Sequence, residues 1–303
     1  MLAERCGISP KSYYDSPPHK AEVYKHHFNN HPQQEWMKDL IVQHDLKTEA
    51  ELLTMRDSLN YLERESNPPT IVTAYFNFKS LHPHSVYLQM MENMMSLHDP
   101  MVIYTTPNMV STVKKLRSHA ADRTKIISRK THEMRMGQYG GEFWEKQAEI
   151  DPEKAIHKSY YAYWIAAEKL EFLRRVIEEN PFQSNFFAWV NMENFQTNAY
   201  NDKSMLQQIP STLNFDQILG LDLSGIGDKL VGGSFIGGYA RGLMRLHALY
   251  YDLLEANKAD KFIGRDTYWY QKACEENKGL CMLVKVSRQG SLDLISVSFV
   301  NSS

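Results

Sequence analysis

Five consecutive apolar residues, Phe186-Phe187-Ala188-Trp189-Val190, run straight into the polar tip Asn191-Met192-Glu193. No other stretch limits the fold of this chain so tightly. A strand with one wet face alternates apolar and polar residues. A short unbroken apolar run is a strand buried on both faces, as in the middle of a sheet covered by helices. Upstream, Asn180-Pro181-Phe182-Gln183-Ser184 stops a helix and turns the chain. Downstream, Val231-Gly232-Gly233-Ser234-Phe235-Ile236-Gly237-Gly238 reads as a glycine-flanked strand entering a helix. Open α/β sheets bind ligands outside the carboxyl ends of their strands, which is where Asn191 and Glu193 fall.

The flanking sequence supplies the rest of such a sheet. Thr70–Phe76 is a β-branched and aromatic strand, Ser85–Leu97 a helix, Met101–Thr106 a strand and Val110–Arg117 a helix. Lys125–Ser128 is a third strand. This alternation predicts an α/β fold with a mostly parallel sheet flanked by helices. Asp151-Pro152-Glu153 carries a capping Asp and a first-turn Pro, and predicts the start of a long helix that Asn180-Pro181 closes. Helices are also expected from Tyr239 to about Ala256 and from Asp266 to about Glu276, with closing strands at Met282–Val286 and Leu292–Phe299. Before residue 68 the sequence is polar, histidine-rich and helical in pattern, and Asn67-Pro68-Pro69 breaks it. The expected organisation is an N-terminal helical extension over 1–68 and a single sheet domain over 69–303.

Composition removes several classes of function. A formal net charge of −2 gives no general attraction to nucleic acid or anionic membrane. No apolar run reaches the length of a membrane span, and no apolar signal region opens the sequence. The chain is therefore expected to be soluble or cytoplasmic. Its three cysteines, Cys6, Cys274 and Cys281, are odd in number and show no CxxC spacing. They are expected to be reduced thiols. The glycines form neither a GxGxxG fingerprint after the first strand nor a P-loop, which argues against a nicotinamide, flavin or P-loop nucleotide site. The histidines at 26, 27, 31, 82 and 84 have no metalloprotease spacing.

Taken in order, Thr70–Phe76, Pro100–Thr106, Asn180–Asn191, Gly232–Gly238 and Ile263-Gly264-Arg265-Asp266 resemble the HtrL/YibB family. That family includes bacterial WlaTC-like proteins regarded as glycosyltransferases. The resemblance covers roughly residues 69–285 and rests on the ordered set of segments. It implies a GT-A-like, Rossmann-like domain that moves a sugar from a nucleotide diphosphate sugar, with UDP favoured, to a glycan or lipid-linked acceptor. It equally allows a degenerate member that binds nucleotide or glycan without turnover. No nucleic acid partner is expected.

The resemblance also implies roles for particular residues. Where the family has Trp-[Val/Ile]-Asp, this chain has Trp189-Val190-Asn191, and Glu193 follows. A Mn or Mg ion beside the donor diphosphate would fall to Glu193 and Asn191. The substitution of Asn for Asp removes a charge that a hard cation prefers. Asp266 matches the family's acidic residue and is a candidate base or acceptor-binding group, or else a helix N-cap. With Glu193 it makes the candidate catalytic pair. Thr73, Tyr75 and Asn77, at the end of the first strand, would face the nucleotide base and ribose, although Tyr75 also suits edge packing. Gly232 and Gly233 would let the sugar or acceptor approach the backbone, or simply pack strand against helix. Arg129 and Lys169 are cations within reach of a diphosphate at the strand ends.

Overall fold

A computed structural model of the chain describes residues 67–78, 83–152, 159–198, 203–206, 209–222 and 231–285. Residues 1–66 of the expected extension and the strand at 292–299 lie outside these residues. The described residues of the unit Pro68–Val176 and Pro181–Ser303 build a seven-stranded sheet in the order β3-β2-β1-β4-β6-β5-β7. The strands are β1 (Thr70–Tyr75), β2 (Met101–Thr105), β3 (Thr124–Ser128), β4 (Phe186–Val190), β5 (Ile218–Asp222), β6 (Val231–Tyr239) and β7 (Cys281–Lys285). The helices are α1 (His84–Met95), α2 (Val110–Leu116), α3 (Gly140–Glu149), α4 (Tyr161–Glu179), α5 (Ala240–Asn257) and α6 (Asp266–Glu276). No helix among the described residues is long and apolar enough to cross a membrane.

The predicted mostly parallel α/β sheet is present. Pairings β1–β2, β2–β3, β1–β4 and β5–β7 are parallel, and β6 runs antiparallel to both β4 and β5. Every residue of β2 and β4 is buried, which is why those segments read as unbroken apolar runs. The chain winds outward through β1, β2 and β3 and then returns by α3 and α4 to place β4 on the other side of β1. The strand order therefore reverses between β1 and β4, and a crevice opens outside the carboxyl ends at such a point. Because β6 is reversed, its first residues, Val231 to Ser234, lie at that same end.

The Asn-Pro-Phe-x-Ser turn works at the opposite end. Asn180 and Gln183 take positive φ values of 40° and 55°, so the helix stops and the chain reverses. The Ser184 hydroxyl donates to the Pro68 carbonyl at 2.6 Å and lies 2.7 Å from the Thr70 hydroxyl. This motif ties the amino ends of β1 and β4 together and sits away from the ligand end.

Arg117 pins the other half of the sheet. Its guanidinium is 1% exposed and donates to the carbonyls of Met95 (3.0 Å), Leu97 and Asp99 (3.0 Å) and to the Thr124 hydroxyl (2.8 Å). A cation at the end of α1 also suits the negative end of that helix. Burial lowers its pKa to about 10.

Two expectations are corrected. Cys274 and Cys281 form a disulfide, with Cα atoms 5.6 Å apart. Spacing alone did not reveal it, because the closure depends on α6 ending and β7 starting on either side of a turn that contains Gly279 at φ 87°. Cys6 lies outside the described residues. The long helix starts at Tyr161 and not at Asp151, whose carboxylate accepts a hydrogen bond from the Tyr163 hydroxyl; residues 153–158 lie outside the described residues. Tyr75, for which packing was one of the two expectations, turns inward, 8% exposed, with its hydroxyl on His84 Nδ1, and burial pushes its pKa up to about 12.

Arg117→Met is expected to lose at least about 3 kcal/mol in urea denaturation, since each buried carbonyl left bare costs about 1–3 kcal/mol. A loss below about 1 kcal/mol would mean that the guanidinium is not the pin described.

Candidate functional site

Helix α4 crosses the sheet with Phe172 stacked on Trp189 of β4 (ring centroids 6.0 Å apart). One turn earlier, the Lys169 ammonium lies 5.7 Å from the centre of the same indole. From there it donates to the Gly233 carbonyl at 2.9 Å and to Asp266 Oδ2 at 2.6 Å. Both side chains of this ion pair are about nine-tenths buried, at 8% and 10% exposure. A buried pair is stable only when its geometry is good and its remaining valences are met. The second Asp266 oxygen, Oδ1, accepts the Thr267 N–H at 2.8 Å.

Gly233 is what lets this pair form. A Cβ there would stand 2.6 Å from Asp266 Oδ2 and 3.0 Å from the carboxyl carbon. Any side chain at this position would push the carboxylate off Lys169. The next residue extends the arrangement to β4. The Ser234 carbonyl accepts the Asn191 N–H at 2.8 Å and the Asn194 amide at 3.2 Å. Asn191 Oδ1 in turn accepts the Trp189 indole N–H at 2.7 Å. Asn191, Gly233, Lys169 and Asp266 thus share one end of the sheet, beside the reversal between β1 and β4.

The other predicted residues make other contacts or none that join this network. The Thr73 hydroxyl donates to the Val190 carbonyl at 2.8 Å and is 2% exposed, so it fastens β1 to β4. Asn77 and Glu193 are exposed just beyond the ends of β1 and β4. Gly232 pairs with Leu221 of β5. Arg129 follows β3, three strand positions from β4, or roughly 14 Å at the usual inter-strand spacing.

Nothing in the residue pattern singles out Glu168. Next to Lys169 on α4 and 1% exposed, it accepts the backbone N–H groups of Arg135 (2.9 Å) and Met136 (2.8 Å). It thereby fixes the loop after β3 against α4. Burial pushes its pKa up to about 7. The nearby Glu171 behaves in the opposite way. Although burial opposes its charge, Arg174 and His247 bonded to it hold its carboxyl well below the ordinary carboxylate range.

Of the two residues expected to hold a divalent cation, Glu193 is an exposed carboxylate just beyond β4 and Asn191 brings no charge. Hard cations take several oxygen ligands, carboxylates above all. The Asn191 carbonyl is engaged by an indole, both Asp266 oxygens are engaged, and the Lys169 ammonium would repel a second cation. Among the described residues, no three His, Cys, Asp or Glu gather to hold a metal.

Two variants test this geometry. Gly233→Ala is expected to lower stability by about 1–3 kcal/mol through overpacking in urea denaturation; an unchanged midpoint would contradict the close approach. For Glu168 the folded pKa is raised above the unfolded value, so the native state holds the extra proton. Its contribution is therefore most favourable below about pH 4.5 and fades as pH rises through about 7. Relative to Glu168→Gln, the wild-type protein should lose stability across that window in thermal melts. A difference that stays flat with pH would contradict the raised pKa.

Residues 68–249 match the model of a family described as "Bacterial protein of unknown function (HtrL_YibB)". No curated protein matches the sequence. Solved structures similar to this chain include mouse xyloside xylosyltransferase 1 in its apo form and the PaToxG glycosyltransferase. The first is 13% identical, covers 71% of this chain and 84% of its own, and has a TM-score of 0.41. The second is 9% identical, covers 81% of this chain and 80% of its own, and has a TM-score of 0.37. The family match spans more than half of the chain, and the chain belongs to the HtrL_YibB family.

Proposed function

For this member of the HtrL_YibB family we propose a glycosyltransferase that moves a sugar from a nucleotide diphosphate sugar, with a UDP-sugar favoured, to a glycan or lipid-linked acceptor. One observation carries the reading. A buried lysine, its aspartate and a glycine carbonyl meet at the carboxyl end of the sheet, beside the point where the strand order reverses.

Breaking the bond to the anomeric carbon leaves negative charge on a diphosphate, which must meet preorganised positive charge. Lys169 supplies it in this reading, and Asp266 and Gly233 hold Lys169 in place until donor arrives. Arg129 would reach an extended donor only from three strands away. Asn77 and the backbone after β1 would face the base and ribose. An acceptor hydroxyl must also give up its proton, and an inverting reaction requires a carboxylate for this. Asp266 is 7% exposed with both oxygens engaged, which suits it to holding Lys169 more than to proton removal. The exposed Glu193, beyond β4, is the better placed base. No step in this scheme passes through a metal.

The second reading, a binding domain without turnover, draws on Asn191. Its amide occupies the position of the family's carboxylate and is bound to Trp189.

Thermal shift against a panel of nucleotide sugars, with and without Mn²⁺, tests the donor site, since a ligand of the native state raises its melting point. Stabilisation by a nucleotide diphosphate sugar, abolished in Lys169→Met but kept in Glu193→Ala, is expected. Donor hydrolysis should then be lost in Glu193→Ala. Stabilisation without turnover in the wild type would favour the binding domain, and no response to any nucleotide would overturn both readings.

A further inference from the structure

If Lys169 turns from Asp266 to a substrate diphosphate, it leaves a carboxylate behind in a place about nine-tenths closed to water. Removing one partner of a buried pair is ordinarily strongly destabilising. A site that works this way needs other donors close to Asp266.

Two buried phenols lie on the face of α6 that carries Asp266 or against it. Tyr270 lies four residues after Asp266 on α6, so the two share a face of the helix. Helical side chains slant toward the N-terminus, which brings the Tyr270 ring back toward Asp266. Tyr250, on the adjoining α5, packs its ring 4.9 Å from that of Tyr270. The two are 0% and 1% exposed, and neither hydroxyl has a hydrogen-bond partner among the described residues. A phenol buried without a partner is itself costly, so two in contact, one of them on a charged residue's own helix face, call for an explanation. Burial raises both phenol pKa values well above the ordinary range, and the Asp266 charge adds to the effect on each. At neutral pH both therefore keep their protons and remain donors.

We propose that Tyr250 and Tyr270 are positioning residues that take over the Asp266 carboxylate when Lys169 leaves it for an anionic substrate. The inference rests on the proposed donor site, but the exchange itself can be tested without donor. It makes the free protein a resting state, with the cation stored on Asp266 and two hydroxyls in reserve. Neither tyrosine touches substrate in this scheme. They lower the barrier to releasing Lys169.

The test is a pair of comparisons on the full chain without ligand. In the wild-type background, Tyr250→Phe and Tyr270→Phe should leave the melting temperature unchanged or raise it, because each removes a hydroxyl with no partner. In a Lys169→Met background, where Asp266 Oδ2 has only the phenols to turn to, each change should lower it by about 2–4 °C. Lys169→Gln, which keeps a donor for the Gly233 carbonyl, serves the same comparison if the Met variant does not fold. Equal effects in both backgrounds would overturn the proposal. A UDP titration then separates this outcome from the functional reading. If UDP binds the wild type, the phenylalanine variants should bind it at least fivefold more weakly, and unchanged affinity would overturn the proposal. If UDP and the nucleotide sugars do not bind at all, the donor reading fails, while the melting comparison still decides whether the phenols receive Asp266.

Discussion

A lysine and an aspartate can stay nearly dry only if each meets the other's charge and the remaining bonding positions are filled. Lys169 and Asp266 do this with two further groups, the Gly233 carbonyl and the Thr267 N–H. The four come from three separate parts of the chain: the middle of α4, the start of β6 and the first turn of α6. Their agreement fixes where α4 and α6 sit against the sheet. The missing side chain at Gly233 is part of the same constraint, since the carboxylate occupies the space a Cβ would take.

The reversed strand turns this constraint into a possible site. Had β6 run parallel to β4, Gly232 and Gly233 would lie at the far end of the sheet, beside the Ser184 latch. Running antiparallel, β6 brings its glycines to Asn191 at the strand-order reversal. The sheet is thus closed by hydrogen bonds at one end, through Ser184, Pro68 and Thr70, and carries its charged groups at the other. The disulfide from Cys274 to Cys281 joins the end of α6 to β7, so the helix that bears Asp266 is fastened at both ends.

Much of the fold could be read from local pattern. The unbroken apolar run at Phe186–Val190 and the helix at Asp266–Glu276 have the bounds expected of them. What failed depended on partners distant in sequence. Strand β5 was not foreseen, since Ile218-Leu219-Gly220-Leu221-Asp222 is short and interrupted by glycine, and it gains its order from β6 and β7 on either side. Helix α3 begins with Gly140-Gly141, a poor start by propensity, and is held by Trp144, whose indole N–H reaches the Met136 carbonyl at 2.9 Å. Asp151 stands ahead of α4 and bonds a tertiary partner, Tyr163. In the candidate site, Lys169 and Asp266 were each legible as charged groups near the right end. That they bind one another was not, because they are 97 positions apart, and spacing in the sequence carries no information about such a pair. Glu168 was missed for a related reason: its ligands are backbone N–H groups, which leave no residue signature.

The most direct measurement is a double-mutant cycle between Lys169 and Asp266, using Lys169→Met, Asp266→Leu and the combined variant in reversible urea denaturation. The account predicts that each single change is strongly destabilising and that the pair together recovers much of the loss, giving a coupling of at least about 2 kcal/mol. Single losses that simply add, to within about 0.5 kcal/mol, would mean that the two charges do not hold each other and that the end of the sheet is organised by something else.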